Sequence, residues 1–167
     1  MLIYYFNRLV TLSNQIDNSL SQIDVQLKKR SDLVPNLLES VKGYMKHERG
    51  VITEVTEARK ALLGAKTIEG KVKAGSQLES ALKSIFALAE NYPDLKANTN
   101  FLQLQQELSS IEDKIAYARQ FYNDGILSYN NTCTTFPGTF FAKIYNRQQK
   151  PFLKITAEER AVPKVSF

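Results

Sequence analysis

The chain has 167 residues, enough for one domain with a substantial core. It has no Trp and one cysteine, Cys133, which excludes an intrachain disulfide and leaves the redox compartment unread. The net charge of +5 is concentrated after Phe136, where Lys143, Arg147, Lys150, Lys154, Arg160 and Lys164 meet only Glu158 and Glu159; the near-neutral remainder disfavours nucleic-acid binding.

The chain opens with Met1-Leu2-Ile3-Tyr4-Tyr5-Phe6, apolar and already in helical register with no capping residue before it. This reads as a helix cut into rather than begun. No run of about 18 apolar residues exists, so nothing in the sequence spans a bilayer as a helix. A basic leader with a cleavage site is also absent. Leu2, Leu9, Ile16 and Ile23 fall seven apart, as do Phe6, Ser13, Leu20 and Leu27, giving one apolar stripe. A first helix is expected over 2–30, ending at Lys28-Lys29-Arg30, where cations suit the negative end of the dipole.

Ser31 or Asp32 can cap a second helix over 32–63, with Pro35 in its first turn. The stripe keeps its register through this point, so one long helix kinked at Pro35 is the alternative. The second stripe is Val34, Val41, Glu48, Val55 and Leu62 beside Leu38, Met45, Ile52 and Arg59. Gly64 and Gly70 bracket a loop. A third helix is expected over 71–91, with Leu78, Leu82, Ile85, Ala89 and Tyr92 inward and Pro93 ending it. Asn98 or Asn100 can cap a fourth over 99–134, where Phe101, Leu108, Ile115, Tyr122 and Tyr129 repeat every seven residues. Phe136-Pro137-Gly138 stops the pattern. Residues 139–145 allow one or two helical turns, and 146–167 read as irregular or strand-like. The expected fold class is all-α: an antiparallel up-and-down four-helix bundle over 1–135, with an irregular basic C-terminal extension over 136–167.

Glu48 and Arg59 stand on an apolar stripe, three turns apart. Burying charge is costly unless it is paired. In an antiparallel bundle their neighbours would come from Asn7, Asn14, Tyr122, Asn123, Tyr129 and Asn130, with the small residues Ser13 and Gly125 at the same end. These eight polar and charged residues are expected to form a buried network that sets helix register, with a polar cavity as the functional reading. His47 is the only histidine, and Val51 stands where a two-histidine zinc motif needs its second ligand. A di-iron bundle site also fails on histidine count. Cys133 reads as a buried or free thiol. Phosphate-cradling and nucleophile-elbow motifs are missing. No catalytic, cofactor-binding or metal-binding residue is assigned, and no cofactor is expected. Lys28, Lys29 and Arg30, with Glu39, Lys42, Lys46 and Arg49, read as solvated faces.

The run Ser21–Glu48 (SQIDVQLKKRSDLVPNLLESVKGYMKHE) resembles the signature of the LemA family, bacterial membrane-anchored proteins. Further matches follow in order: Asn7-Arg8-Leu9-Val10, Val55-Thr56-Glu57-Ala58-Arg59, Asn91 to Asn98, Leu102-Gln103 with Glu107-Leu108, Ala118-Arg119 with Tyr122-Asn123-Asp124, Tyr129-Asn130, Phe136-Pro137, and Pro163-Lys164-Val165 with Phe167. Ser166 departs from the pattern, which usually carries an acidic residue there. The resemblance implies a four-helix bundle, no established activity or catalytic residues, and a single transmembrane anchor just before Asn7. Leu2–Phe6 would then be the stub of that anchor or its juxtamembrane end, and the anchor itself is expected to be missing from this chain. Phe140, Phe141, Lys143, Tyr145 and Arg147 become candidates for contact with the membrane surface, the alternative being that the 136–167 extension packs back on the bundle and its aromatics cover the helix ends. The expected role is a non-enzymatic interaction or scaffold module of the bacterial envelope, with an unknown protein partner and self-association left open. The alternative is a small-ligand sensor or enzyme that uses the polar end.

Overall fold

The computed structural model describes residues 1–153. The expectations for 154–167, including the matches at Pro163-Lys164-Val165 and Phe167, lie outside the described residues. Among these the chain is all-α, with six helices and no strand. They are α1 (Leu2–Lys42), α2 (Arg49–Gly64), α3 (Ile68–Ala89), α4 (Pro93–Lys96), α5 (Thr99–Thr134) and α6 (Gly138–Ile144). The chain divides into two compact units, one of Met1–Ser19 with the chain from Arg119 onward, the other of Leu20–Ala118. Both α1 and α5 contribute to each.

The boundary expected at Lys28-Lys29-Arg30 is not there. α1 continues through Pro35 and ends at Lys42, and the break falls at 43–48. Gly43 has weak helix propensity, and the amides of Tyr44 and Met45 both return to the Val41 carbonyl to close the last turn. The heptad stripe explains why α1 persists. Leu9, Ile16, Ile23 and Leu37 are buried at steps of seven, except that Arg30 occupies the step between Ile23 and Leu37.

In the second unit, α2 turns back along α1. Ser31 lies eleven residues before the end of α1 and Arg59 ten after the start of α2, and the two are hydrogen-bonded. A short connection follows, in which the Thr67 hydroxyl accepts from the Gly70 amide and caps α3. That cap starts α3 at Ile68, three residues earlier than expected. Gly75 lets the α3 backbone pass close to α1, since a Cβ there would meet Leu27 Cδ2 at 2.5 Å. Asn98 caps α5 by accepting from the Phe101 amide at 3.1 Å.

In the first unit, Leu9 and Ile16 of α1 are buried, as are Tyr122, Ile126 and Tyr129 of α5. Gly125 makes room for Ile16, whose Cγ1 would lie 3.1 Å from an added Cβ. After α5 the chain enters α6 and then an extended stretch to Leu153 without regular secondary structure.

Candidate functional site

The first unit brings Tyr5, Phe6, Phe140, Phe141 and Tyr145 together. Tyr5 stacks on Phe141 of α6 with ring centroids 4.8 Å apart, Phe6 meets Tyr145 edge-on at 5.2 Å, and the Tyr145 hydroxyl donates to the Leu2 carbonyl at 3.0 Å. These contacts fix the first turns of α1 against α6. The inner face of α6 is Gly138, Phe141 and Ala142, all buried, and the outer face is also apolar. Phe140 is 61 % exposed and Ile144 52 %, with Phe136 just upstream at 88 %. Across from them Leu2, Ile3, Tyr4 and Phe6 are exposed too. A helix apolar on both faces is normally buried on both, and exposed apolar residues gathered in this way mark a contact surface. Of the five residues expected at a membrane surface, Phe140, Lys143 and Arg147 are exposed, while Phe141 is buried and Tyr145 half-buried as the contacts that hold α6 in place.

The extended stretch after α6 is held by asparagine amides. Asn130 Nδ2 donates to the Lys150 carbonyl at 2.9 Å and Oδ1 accepts the Lys150 amide at 2.8 Å. Asn123 repeats the arrangement with Leu153, at 3.4 and 3.1 Å. Seven helical residues and three extended ones both span about 10 Å, so the two registers match. The Tyr122 hydroxyl donates to the Pro151 carbonyl at 3.4 Å. Lys150 Nζ lies 5.2 Å above the Tyr129 ring and donates to Ser13 Oγ at 2.9 Å. Four of the eight residues expected to form a polar network thus anchor one segment. Asn7 and Asn14, expected to be buried, are exposed, because the α1 stripe that points inward is that of Leu9 and Ile16.

Glu48 and Arg59 belong to the second unit, and both are half-buried. Glu48 sits at the head of α2 and accepts from the Tyr92 hydroxyl at 3.2 Å. Arg59 Nε donates to the Ser31 carbonyl at 2.8 Å. In an α-helix that carbonyl takes the amide four residues on, but residue 35 is proline, which has no N–H and pushes the carbonyl outward. Arg59 supplies the donor that Pro35 lacks. Arg59→Ala is expected to cost about 1–3 kcal/mol, the usual range for stranding a buried acceptor. In a Pro35→Ala background, where the amide returns, that cost should fall by about 1 kcal/mol or more, and urea melts of the four proteins would measure it. Additive losses would contradict this pairing.

The most buried charge is one that the sequence reading placed on a solvated face. Arg30 is 2 % exposed; its Nη1 donates to the Gly75 carbonyl at 3.2 Å and lies 3.5 Å from Glu79. Lys83 joins Glu79 (2.7 Å) to Glu112 (3.0 Å). With Leu82, Phe86 and Leu108, the four charged residues line a groove of about 190 Å³. Burial lowers the Arg30 pKa, opposed by Glu79 and Glu112. Burial and the bond to Glu79 hold the Glu112 carboxyl above the usual range. Burial also acts to raise Glu79, but its bonds to Lys83 and Glu112 and the Arg30 charge bring it below that range.

The two carboxyls therefore have opposite linkage. The Glu112 contribution to stability is present at low pH and lost as pH rises through its raised titration. The Glu79 contribution is present above the ordinary range and lost as pH falls through its lowered one. Glu112→Gln keeps the shape and removes the carboxylate opposite Glu79. Its stability relative to the parent is expected to rise by up to about 1 kcal/mol between about pH 4 and pH 7, read from melts at both. A difference that falls with pH would reverse the assignment.

Cys133 is buried, and burial pushes its thiol pKa up despite the nearby Tyr129 hydroxyl and Arg147, which does not suit a nucleophile. His47 is exposed. Among the described residues no three His, Cys, Asp or Glu side chains cluster as metal ligands, and no helix is long and apolar enough to cross a membrane.

The fold is thus that of a helical protein whose distinctive features are an exposed aromatic end and buried charges in register with its apolar stripes. The LemA family model matches residues 19–167, and the chain belongs to the LemA family. It is 30 % identical to Protein LemA of Metamycoplasma hominis over 141 residues, covering 80 % of this chain and 64 % of that protein. It is also similar to Magnetosome protein MamQ of Magnetospirillum gryphiswaldense, 22 % identical over 86 % of this chain and 62 % of the relative. Magnetosome protein MamQ 2 of Paramagnetospirillum magneticum is 24 % identical over the same shares. The chain spans a little under two thirds of the length of these curated relatives.

Proposed function

We propose that this chain is the helical part of a membrane-anchored, non-enzymatic module of the bacterial envelope, with its first unit at the bilayer and its remaining helical faces available to a protein partner. The exposed apolar outer face of α6, beside the equally exposed first turn of α1, carries this reading. A surface of that kind is costly in water and useful at the headgroup boundary. Four long helical segments in the order α1, α2, α3 and α5 suit an antiparallel four-helix bundle, in which heptad stripes pack at shallow angles. Arg30 bonds Glu79 and the Gly75 carbonyl through Nη1, with no partner among the described residues at its buried Nη2, and Arg59 bonds backbone, which favours a structural part over an active centre.

The test is photo-cross-linking in the native membrane, with a photoreactive residue placed at Phe140 and, separately, at the exposed Leu63 of α2. Lipid adducts at Phe140 and one recurrent protein adduct at Leu63 are expected. Soluble-protein adducts at Phe140, without lipid, would overturn the membrane-facing reading.

A further inference from the structure

Among the described residues, the aromatic end of the first unit also lacks acidic residues. Residues 1–16 and 125–153 contain no Asp or Glu, yet they include Arg8, Lys143, Arg147 and Lys150. Lys150 is engaged with Ser13 and Tyr129. The other three are exposed, and among the described residues no ion pair involves any of them. Among the described residues Arg8 makes long contacts to neutral hydroxyls, Thr132 and the patch residue Tyr4, both at 3.4 Å. Lys143 precedes the exposed Ile144 on α6. Arg147 is brought back to that helix by its amide, which donates to the Ala142 carbonyl at 2.8 Å after the left-handed turn at Asn146 (φ 51°). Three cations that form no ion pair among the described residues thus flank one apolar surface.

We propose that this end of the molecule docks on anionic lipid headgroups, with Phe136, Phe140 and Ile144 entering the headgroup boundary and Arg8, Lys143 and Arg147 meeting the lipid phosphates. This rests on the membrane-facing reading above and adds the lipid class. An apolar face bordered by cations is the signature of a helix lying in the plane of an interface. The lack of carboxylates in residues 1–16 and 125–153 lowers the repulsion that an anionic surface would otherwise impose. A protein partner at this patch would have to present carboxylates of its own to the three cations, and the vesicle test separates that case.

The test is flotation of the 167-residue chain with vesicles of phosphatidylcholine alone and of phosphatidylcholine with roughly one third phosphatidylglycerol. Binding to the anionic vesicles is expected to exceed that to neutral ones by about a hundredfold, at about fivefold for each of three cations. It should fall sharply in about 0.5 M salt. The Arg8→Gln, Lys143→Gln, Arg147→Gln triple variant, with all three sites on the surface, should fold normally by melting. It should lose the anionic preference while keeping the weaker neutral binding. Equal binding to both vesicle types, or an undiminished preference in the triple variant, would overturn the lipid class and leave the membrane-facing reading to its own cross-linking test. A chain that binds neither vesicle and sediments as a dimer would overturn the proposal by assigning the patch to a second copy.

Discussion

Arg30→Ala is expected to be the most destabilising single substitution in the second unit, at about 3–5 kcal/mol in a urea melt. The side chain is almost wholly buried and fills a heptad position among Ile23, Leu27 and Leu37. Removing it opens a cavity beside the Gly75 carbonyl and withdraws the buried cation from Glu79. Part of the electrostatic loss is cushioned, because Lys83 still reaches Glu79 at 2.7 Å. Arg30→Met separates the two contributions: it fills most of the volume without the charge and should cost about 1–2 kcal/mol. Equal losses in both variants would show that charge rather than packing dominates. A loss under about 0.5 kcal/mol for Arg30→Ala would refute its burial.

The second large effect is expected at Gly138→Ala. A Cβ there would lie 2.1 Å from the Thr132 carbonyl oxygen, and that oxygen is backbone at the end of α5, unable to rotate away. The first turn of α6 must therefore shift, which breaks the Tyr5–Phe141 stack. The expected cost is about 2–4 kcal/mol in the same melt, from overpacking and lost aromatic contact. At Gly125 the same added methyl would meet only Ile16 Cγ1 at 3.1 Å, a side-chain atom, so Gly125→Ala serves as the milder control. Comparable losses at the two sites would argue against a rigid backbone approach at Gly138.

The helical character is legible in the seven-residue recurrence, and α5 begins and ends where its stripe and its Asn98 cap place it. The helix end expected at Lys28-Lys29-Arg30 is the costliest departure. Three cations in a row do suit a C-terminus, but Arg30 also continues the Leu9, Ile16, Ile23 series toward Leu37, and packing outweighs the local dipole preference. That boundary displaces the turn by a dozen residues, and with it the expected neighbours of Glu48 and Arg59. With the turn at Gly43, Arg59 comes to Ser31 and Glu48 to Tyr92. The proline that suggests a helix start marks instead the carbonyl that Arg59 occupies. Asn123 and Asn130 stand out in the sequence as polar groups on an inward face. Residues 147–153 have no regular secondary structure, as expected, but the asparagine clamp on them is not readable, because it joins residues 20 and 30 apart in the sequence.

The membrane-facing end of the first unit is the central claim, and the absence of Trp from the chain offers a direct measurement of it. Phe140→Trp places a single indole on the exposed outer face of α6, and Tyr117→Trp places one on an exposed position of α5 in the second unit. On addition of anionic vesicles containing brominated lipid, the Phe140→Trp protein should shift its emission to the blue and be quenched, while the Tyr117→Trp control stays unchanged. Emission from both proteins that remains at the water-exposed wavelength would contradict the account.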